Sequence, residues 1–249
     1  MPEVPGRIQT NDTRRRPQPE NGPLAVVYED DSVLVLDKPA GQVVHPTYRN
    51  WSGTLLNAVL WRLRDRPGTQ PGILTRLDKD TSGLVVVGLT AEAHARMQRD
   101  GLAGRIRKQY LAVVHGTPEP AAGRIVLPLG RSPEDRRRVV VTRAGAHAET
   151  GYEATATGGD MTLVRCELVT GRTHQIRVHL AARGWPIVGD AQYGCPSDRI
   201  ARQALHAWRV SLPHPVTREL LGFESPLPVD MQPLVSRVRT YGPDSTPTP

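Results

Sequence analysis

Two aspartates one residue apart, Asp78 and Asp80, stand in the run TRLDKDTSGL at 75–84, with Arg76 before them and Thr81, Ser82 and Gly83 after. Three chemistries fit that pattern: a metal-dependent phosphatase nucleophile, a pair of glycosidase carboxylates, or a single nucleophilic aspartate with an arginine beside it. The phosphatase needs an apolar strand into the first aspartate, a distal lysine and a late acidic pair for magnesium. Here the approach is ILTRL, the only lysine beyond Lys79 is Lys108, and the only adjacent acidic pair downstream, Glu134-Asp135, sits among arginines. A hydrolytic glycosidase needs one carboxyl that holds a proton, yet Arg76 and Lys79 interleave the two aspartates and favour their ionised forms. The chemistry must therefore rest on an ionised carboxylate.

The elements that would position it follow from the hydrophobic pattern. AVVYEDDSVLVLDKP reads as a hairpin, GTLLNAVLWRL as a helix with its apolar face in the core, GLVVVGLT (83–90) as a buried strand and AEAHARMQRD as a short helix. QYLAVVHG, GRIVLPLG, RRRVVVT, HAETGYEATAT and MTLVRCELV supply five further strand-like runs. GRTHQIRVHLAARG (171–184) reads as a helix capped by its threonine and stopped at Gly184. His174 and His179 fall about 140° apart on such a helix, poor geometry for a shared metal, so a structural or RNA-facing role is expected for them. Many successive strands with short connections predict an α+β body, a largely antiparallel mixed sheet with inserted helices. The expected organisation is a disordered basic arm over 1–22, one domain over 23–234 and a tail over 235–249.

At 249 residues such a body buries roughly 70–75% of its unfolded surface, so no disulfide or structural metal is needed. Cys166 and Cys195 lack C-x-x-C spacing and are expected to be packing residues in a reducing cytosol. No apolar stretch in the first 22 residues suits a secretory signal, and no later run suits a membrane span, so a soluble cytoplasmic protein is expected. The net charge is +7, and all but three of the 32 basic residues are arginine, the residue whose planar fork matches phosphate and stacks on bases. Nine basic residues against three acidic ones between Arg105 and Arg143 would track a phosphate backbone. Aromatic residues, at 4%, are too few for an extended base-stacking platform.

RLDKDTSGLVVV resembles the signature of the RluA-type pseudouridine synthases. DDSVLVLDKPAGQVVHP with GTLLNAV is similar to that family's opening, RKQYLAVVHG to its tyrosine motif, GRTHQIRVHLA with GWPIVGDAQYG to its arginine motif, and ALHAWRVSLPHP to its closing strands. The likeness runs from about residue 24 to 230 in family order.

That resemblance implies a pseudouridine synthase catalytic domain, without the S4-type RNA-binding domain many relatives carry, acting on a stem-loop of ribosomal or transfer RNA. Asp78 is implied as the catalytic aspartate at the ribose anomeric carbon, Arg177 as its ion-pair partner, and Tyr110 as the tyrosine stacked on the base and a candidate for ribose proton abstraction. Arg76 is implied to fill the space of a flipped nucleotide, or else to pair with Asp80. Arg107, Lys108, Arg136, Arg137, Arg138 and His174 are the further RNA-binding candidates. Net isomerisation needs no cofactor and no metal, and a monomer without an obligate protein partner is expected. Thr81, Ser82 and Gly83 are expected to shape the loop, the hydroxyls bonding nearby backbone. Thr75 stands where the family usually has histidine. The rival from another class is a non-catalytic RNA-binding or ribosome-assembly protein on the same scaffold.

Overall fold

The computed structural model describes residues 16–47 and 50–240. The chain enters the sheet with β1 (Val26–Glu29) and β2 (Val33–Lys38), an antiparallel hairpin whose turn is held by Asp30, which accepts the N–H groups of Ser32 and Val33. α1 (Leu55–Arg62) follows, capped by Thr54 in a reciprocal box with Asn57. A two-residue strand β3 (Gly72–Ile73) leads through the 74–81 loop into β4 (Ser82–Gly88), and α2 (Ala91–Leu102) begins at the Thr90 cap. Then come β5 (Arg107–His115), β6 (Ala122–Val126), β7 (Leu129–Arg131), β8 (Val139–Val141), β9 (Glu149–Gly158) and β10 (Met161–Leu168). α3 (Gln175–Ala182), β11 (Leu205–Pro213), β12 (Leu220–Glu224) and α4 (Gln232–Thr240) complete the described chain.

Ten strands form one sheet in the order β1-β2-β4-β11-β5-β10-β9-β6, with β3 paired to β4 and β12 to β11. Every pairing is antiparallel except β4 with β11, which gives the expected largely antiparallel mixed sheet. β2 and β4 read as continuous apolar runs because both their faces are covered. Leu34, Leu36, Val85 and Val87 join the core under α1, α3 and α4, while Val33, Val35, Leu84 and Val86 pack with Met97 of α2.

Several expectations change. GRIVLPLG is two strands, β6 and β7, broken where Pro128 cannot donate to a ladder. Of RRRVVVT only Val139–Val141 is strand; the three arginines lie in the turn of a separate β7–β8 hairpin. α3 is not capped by Thr173: it starts at Gln175, and His174 precedes it with left-handed backbone (φ 55°) and no side-chain cap. The Gln175 side chain folds back instead and accepts the Arg172 N–H.

The boundaries also shift. Residues 1–15 and 241–249 of the expected arm and tail lie outside the described residues. Residues 16–22 dock on α1, where Asn57 Nδ2 donates to Gln18 O at 2.7 Å and Glu20 accepts the Gly53 N–H. At the other end the chain stays in the core past 234: Val235 and Val238 of α4 are buried, because the amphipathic face of that helix covers β9 and β10. Cys166 is a packing residue, its thiol pushed up to about 12 by burial, whereas Cys195 is exposed.

Candidate active site

The loop between β3 and β4 carries Asp78, and it is held from behind by two buried cations. Lys38, 1% exposed, donates from Nζ to the carbonyls of Pro39, Gln42 and Lys79. Burial pulls its pKa down to about 8, against the opposing charge of Asp80. Arg202 donates to the Asp80 carbonyl at 3.1 Å while its Nε and Nη2 grip Asp230. Asp80 thus contributes a backbone anchor and a charge near Lys38. Thr81 and Ser82 bond side chains rather than the expected nearby backbone: Thr81 Oγ1 accepts from Gln203, and Ser82 Oγ lies 3.0 Å from His206 Nδ1. Gly83 has φ 109°, and a Cβ there would meet Ala207 O at 2.2 Å, so glycine is what allows β11 to run beside β4.

Asp78 meets Arg177 across 99 residues of sequence. Arg177 Nη1 donates to Asp78 Oδ2 at 2.9 Å, and Asp78 Oδ1 keeps no hydrogen bond among the described residues. The guanidinium is fixed by a second carboxylate, to which the sequence alone assigns no role: Nε and Nη2 donate to Asp190 Oδ2 and Oδ1 at 2.7 and 2.9 Å. Burial works against the Arg177 charge, but the hydrogen bonds and charges of Asp190 and Asp78 more than offset it and hold its pKa above the ordinary value. Burial raises the Asp190 carboxyl, but the hydrogen bond and charge of Arg177, with the N–H groups of Gln192 and Tyr193, together outweigh it and hold that carboxyl below its ordinary range. Asp190 also accepts the N–H groups of Gln192 and Tyr193. The tight turn that presents it uses Gly189 at φ 76°, where a Cβ would meet Arg202 O at 2.3 Å.

Tyr110 stands on β5 between Cys166 of β10 and Ala207 of β11 and is 6% exposed. Burial first and the Asp78 charge second push its phenol far above the ordinary value, so it is neutral at physiological pH. A cavity of about 340 Å³ opens over Asp78 and Tyr110, with Arg76, Lys108, Arg172 and His45 on its walls. Lys108 shares the Tyr110 side of β5 and its pKa is lowered by burial; Arg107, one residue earlier, lines a different groove with Gln109, Arg209 and Phe223. Arg76 is exposed at the cavity and makes no ion pair with Asp80. Thr75 is buried and its hydroxyl accepts the Val86 N–H, which ties the loop to β4.

The remaining candidates divide. His174 Nε2 lies 3.8 Å from Asp78 Oδ1, whereas His179 is wholly buried between Thr150 and the Leu127 carbonyl. Arg138 donates to Gln192 O and lies over the Tyr193 ring, Arg137 pairs with Asp135, and Arg136 is exposed in the same turn. The structure therefore gathers Asp78, Tyr110, Arg76 and Lys108 around the cavity, sets Arg177 and His174 in a smaller pocket that shares Asp78, Tyr110 and Arg76 with it, lays Arg138 over Tyr193, and leaves Arg107 elsewhere. Asp190 and Tyr193 were signalled only by GDAQYG, a short glycine-bounded turn carrying an acid and a tyrosine.

Residues 32–182 match the family model described as RNA pseudouridylate synthase. The chain belongs to that family. It is 43% identical over 244 residues to the ribosomal large subunit pseudouridine synthase D of Nitrosomonas europaea, covering 93% of this chain and 70% of the relative. It is also 43% identical over 225 residues to an uncharacterized RNA pseudouridine synthase, YlyB, of Bacillus subtilis, covering 88% and 74%. Among solved structures, human RNA pseudouridylate synthase domain containing 1 superposes with a TM-score of 0.67 at 27% identity, over 92% of this chain and 99% of that one. Human RNA pseudouridylate synthase domain containing 4, at 23% identity and a TM-score of 0.70, shares the fold over 86% and 93%. The protein is an RNA pseudouridine synthase, an isomerase, and the reading as a non-catalytic binder is set aside.

Proposed function

We propose that Asp78 is the residue that acts on the target uridine, and that its free oxygen, Oδ1, meets the ribose C1′. The observation that carries this reading is the asymmetric ion pair, in which Arg177 takes Oδ2 and leaves Oδ1, on a side chain that lines the cavity, without a hydrogen bond among the described residues. The carboxylate attacks or stabilises C1′ as the N1–C1′ bond breaks; uracil turns, C5 bonds to C1′ as the carboxylate leaves it, the proton on C5 is lost to solvent, and N1 takes one up. Reactants and product are isomers, so no oxidant, water or group donor enters the balance. Tyr110 is proposed to stack on the base as a neutral phenol, since its raised pKa disfavours the phenolate that ribose proton abstraction would require. Arg76 is proposed to occupy the space of the extruded nucleotide, and Lys108 to meet its phosphate. His174 and the hairpin arginines Arg136, Arg137 and Arg138 complete the proposed RNA-facing set, and Arg107 is left out of it.

The substrate is proposed to be large-subunit ribosomal RNA, in line with the name of the Nitrosomonas relative. The catalytic body is proposed to extend through α4, and the enzyme to act as a monomer in the cytoplasm with its RNA. Among the described residues no helix is long and apolar enough to cross a membrane. Mapping pseudouridine across the RNA of a deletion strain tests the assignment. Loss at one or more large-subunit positions is expected, and loss confined to transfer RNA would overturn it.

A further inference from the structure

The unusual backbone of His174 has a visible result. A residue with a β-carbon at φ 55° is costly unless its surroundings hold it there. Here the turn brings the imidazole between Tyr193 and Asp78. Nδ1 lies 2.7 Å from Tyr193 Oη, and Nε2 faces Asp78 Oδ1 at 3.8 Å, too far for a direct hydrogen bond. Tyr193 Oη in turn accepts the Val139 N–H at 3.0 Å, at the start of β8. Its single proton is then available to His174 Nδ1, which can accept it only as a neutral imidazole with its own proton on Nε2. The same tyrosine ring lies under Arg138 and Arg177, at 5.7 and 5.0 Å from the two guanidinium carbons.

We infer that Tyr193 and His174 form a relay between the arginine-rich β7–β8 hairpin and Asp78. Tyr193 holds the imidazole as its Nε2–H tautomer, and that N–H donates to a ribose oxygen of the target nucleotide beside Asp78 Oδ1. Tyr193 is a positioning residue; His174 touches the substrate. The inference rests on Asp78 being the reacting carboxylate. A protonated imidazole would instead draw Oδ1 into an ion pair and close the position that C1′ must reach.

The charges around His174 support the neutral form. Burial lowers its pKa; Asp78 raises it, Arg177 lowers it, Asp190 raises it and Arg131 of β7 lowers it, with a net shift downward. Removing the Tyr193 hydroxyl takes away a donor that only neutral imidazole can accept, so the pKa of His174 should rise.

Tyr193→Phe and His174→Asn are the variants to compare. Asparagine tolerates the left-handed backbone and keeps a partner for Tyr193, but has nothing at the Nε2 position. Each should lower kcat about 10- to 100-fold, with RNA affinity and KM within about threefold of wild type. The double variant should fall no further than the worse single one, because both cut the same relay. The acid limb of kcat should move to higher pH in Tyr193→Phe. Tyr193→Phe with wild-type kcat, or losses that multiply in the double variant, would overturn the relay. Nitrogen-15 NMR of the histidines in the unmutated full chain gives a second reading: His174 should be the Nε2–H tautomer, and an Nδ1–H tautomer would contradict the inference. Asp78→Ala separates the two levels. If it is inactive while Tyr193→Phe is fully active, the relay alone is wrong; if it is active, the reading beneath the relay is wrong.

Discussion

Arg177 is held at four points, the fourth being Gln192 Oε1, which accepts from Nη2 at 3.4 Å. Asp190 takes Nε and Nη2, so only Nη1 remains for Asp78, and the carboxylate is oriented by one bond rather than covered by two. Arg177→Lys keeps a charge but cannot span both carboxylates, since an ammonium is a point donor without a fork. We expect kcat to drop roughly 100-fold with a smaller change in RNA affinity, as measured by single-turnover assays beside equilibrium binding. Asp78, Tyr110 and Arg177 were legible in the sequence because each sits in a motif that resembles a known one. Asp190 and Tyr193 also sit in such a motif, GWPIVGDAQYG, but their contacts exist only once the 187–194 turn folds against the start of α3. Lys108 and Arg107 show the limit from the other side: equal in charge and adjacent in sequence, they are separated by the alternation of β5.

At the scale of elements, the site depends on how closely β11 approaches β4. Gly83 and Ala207 are opposed in the one parallel pairing of the sheet, and Thr81, Asp80 and Ser82 are tied to the 202–206 segment around it. Gly83→Ala must adopt φ near 109° and push a methyl into the Ala207 carbonyl. A loss of about 2–4 kcal/mol is expected, measurable by denaturant unfolding with an unchanged m-value. The strands were readable from apolar runs and the helices α1 and α2 from their periods. The start of α3 was misread, because Thr173 has the right type for a cap but the chain turns left-handed at His174. RRRVVVT reads as one strand-like run in sequence, but its arginines lie in the turn of the β7–β8 hairpin and only Val139–Val141 pairs.

For the whole molecule, one buried carboxylate ties the end of α2 to the β11–β12 turn. Asp100, with no exposed side-chain surface, accepts two bonds from Arg218 at 2.7 and 3.1 Å and one from Arg105 at 2.8 Å. The Arg218 hydrogen bonds, acting against burial, hold its pKa down at about 2. The folded value lies below the unfolded one of about 3.9, so this stabilisation is complete above about pH 4 and is lost as pH falls toward 2. Asp100→Asn should destabilise the fold by roughly 1–3 kcal/mol at neutral pH and flatten the decline of Tm between about pH 4 and 2. Fold class is legible from the strand count, while the ends are not: the part of α4 beyond 234 reads as tail because Val235 and Val238 are spaced among arginines and a serine.

The central claim is that one carboxylate, Asp78, carries the isomerisation. Pseudouridine formation releases the hydrogen on C5 of uracil, so RNA labelled there with tritium reports the reaction directly. The unmutated protein should release tritium from large-subunit RNA of a deletion strain without added metal or cofactor. Asp78→Ala should release none while binding the same RNA within roughly tenfold of wild-type affinity. Tritium release by Asp78→Ala at a rate near that of the unmutated protein would contradict the account.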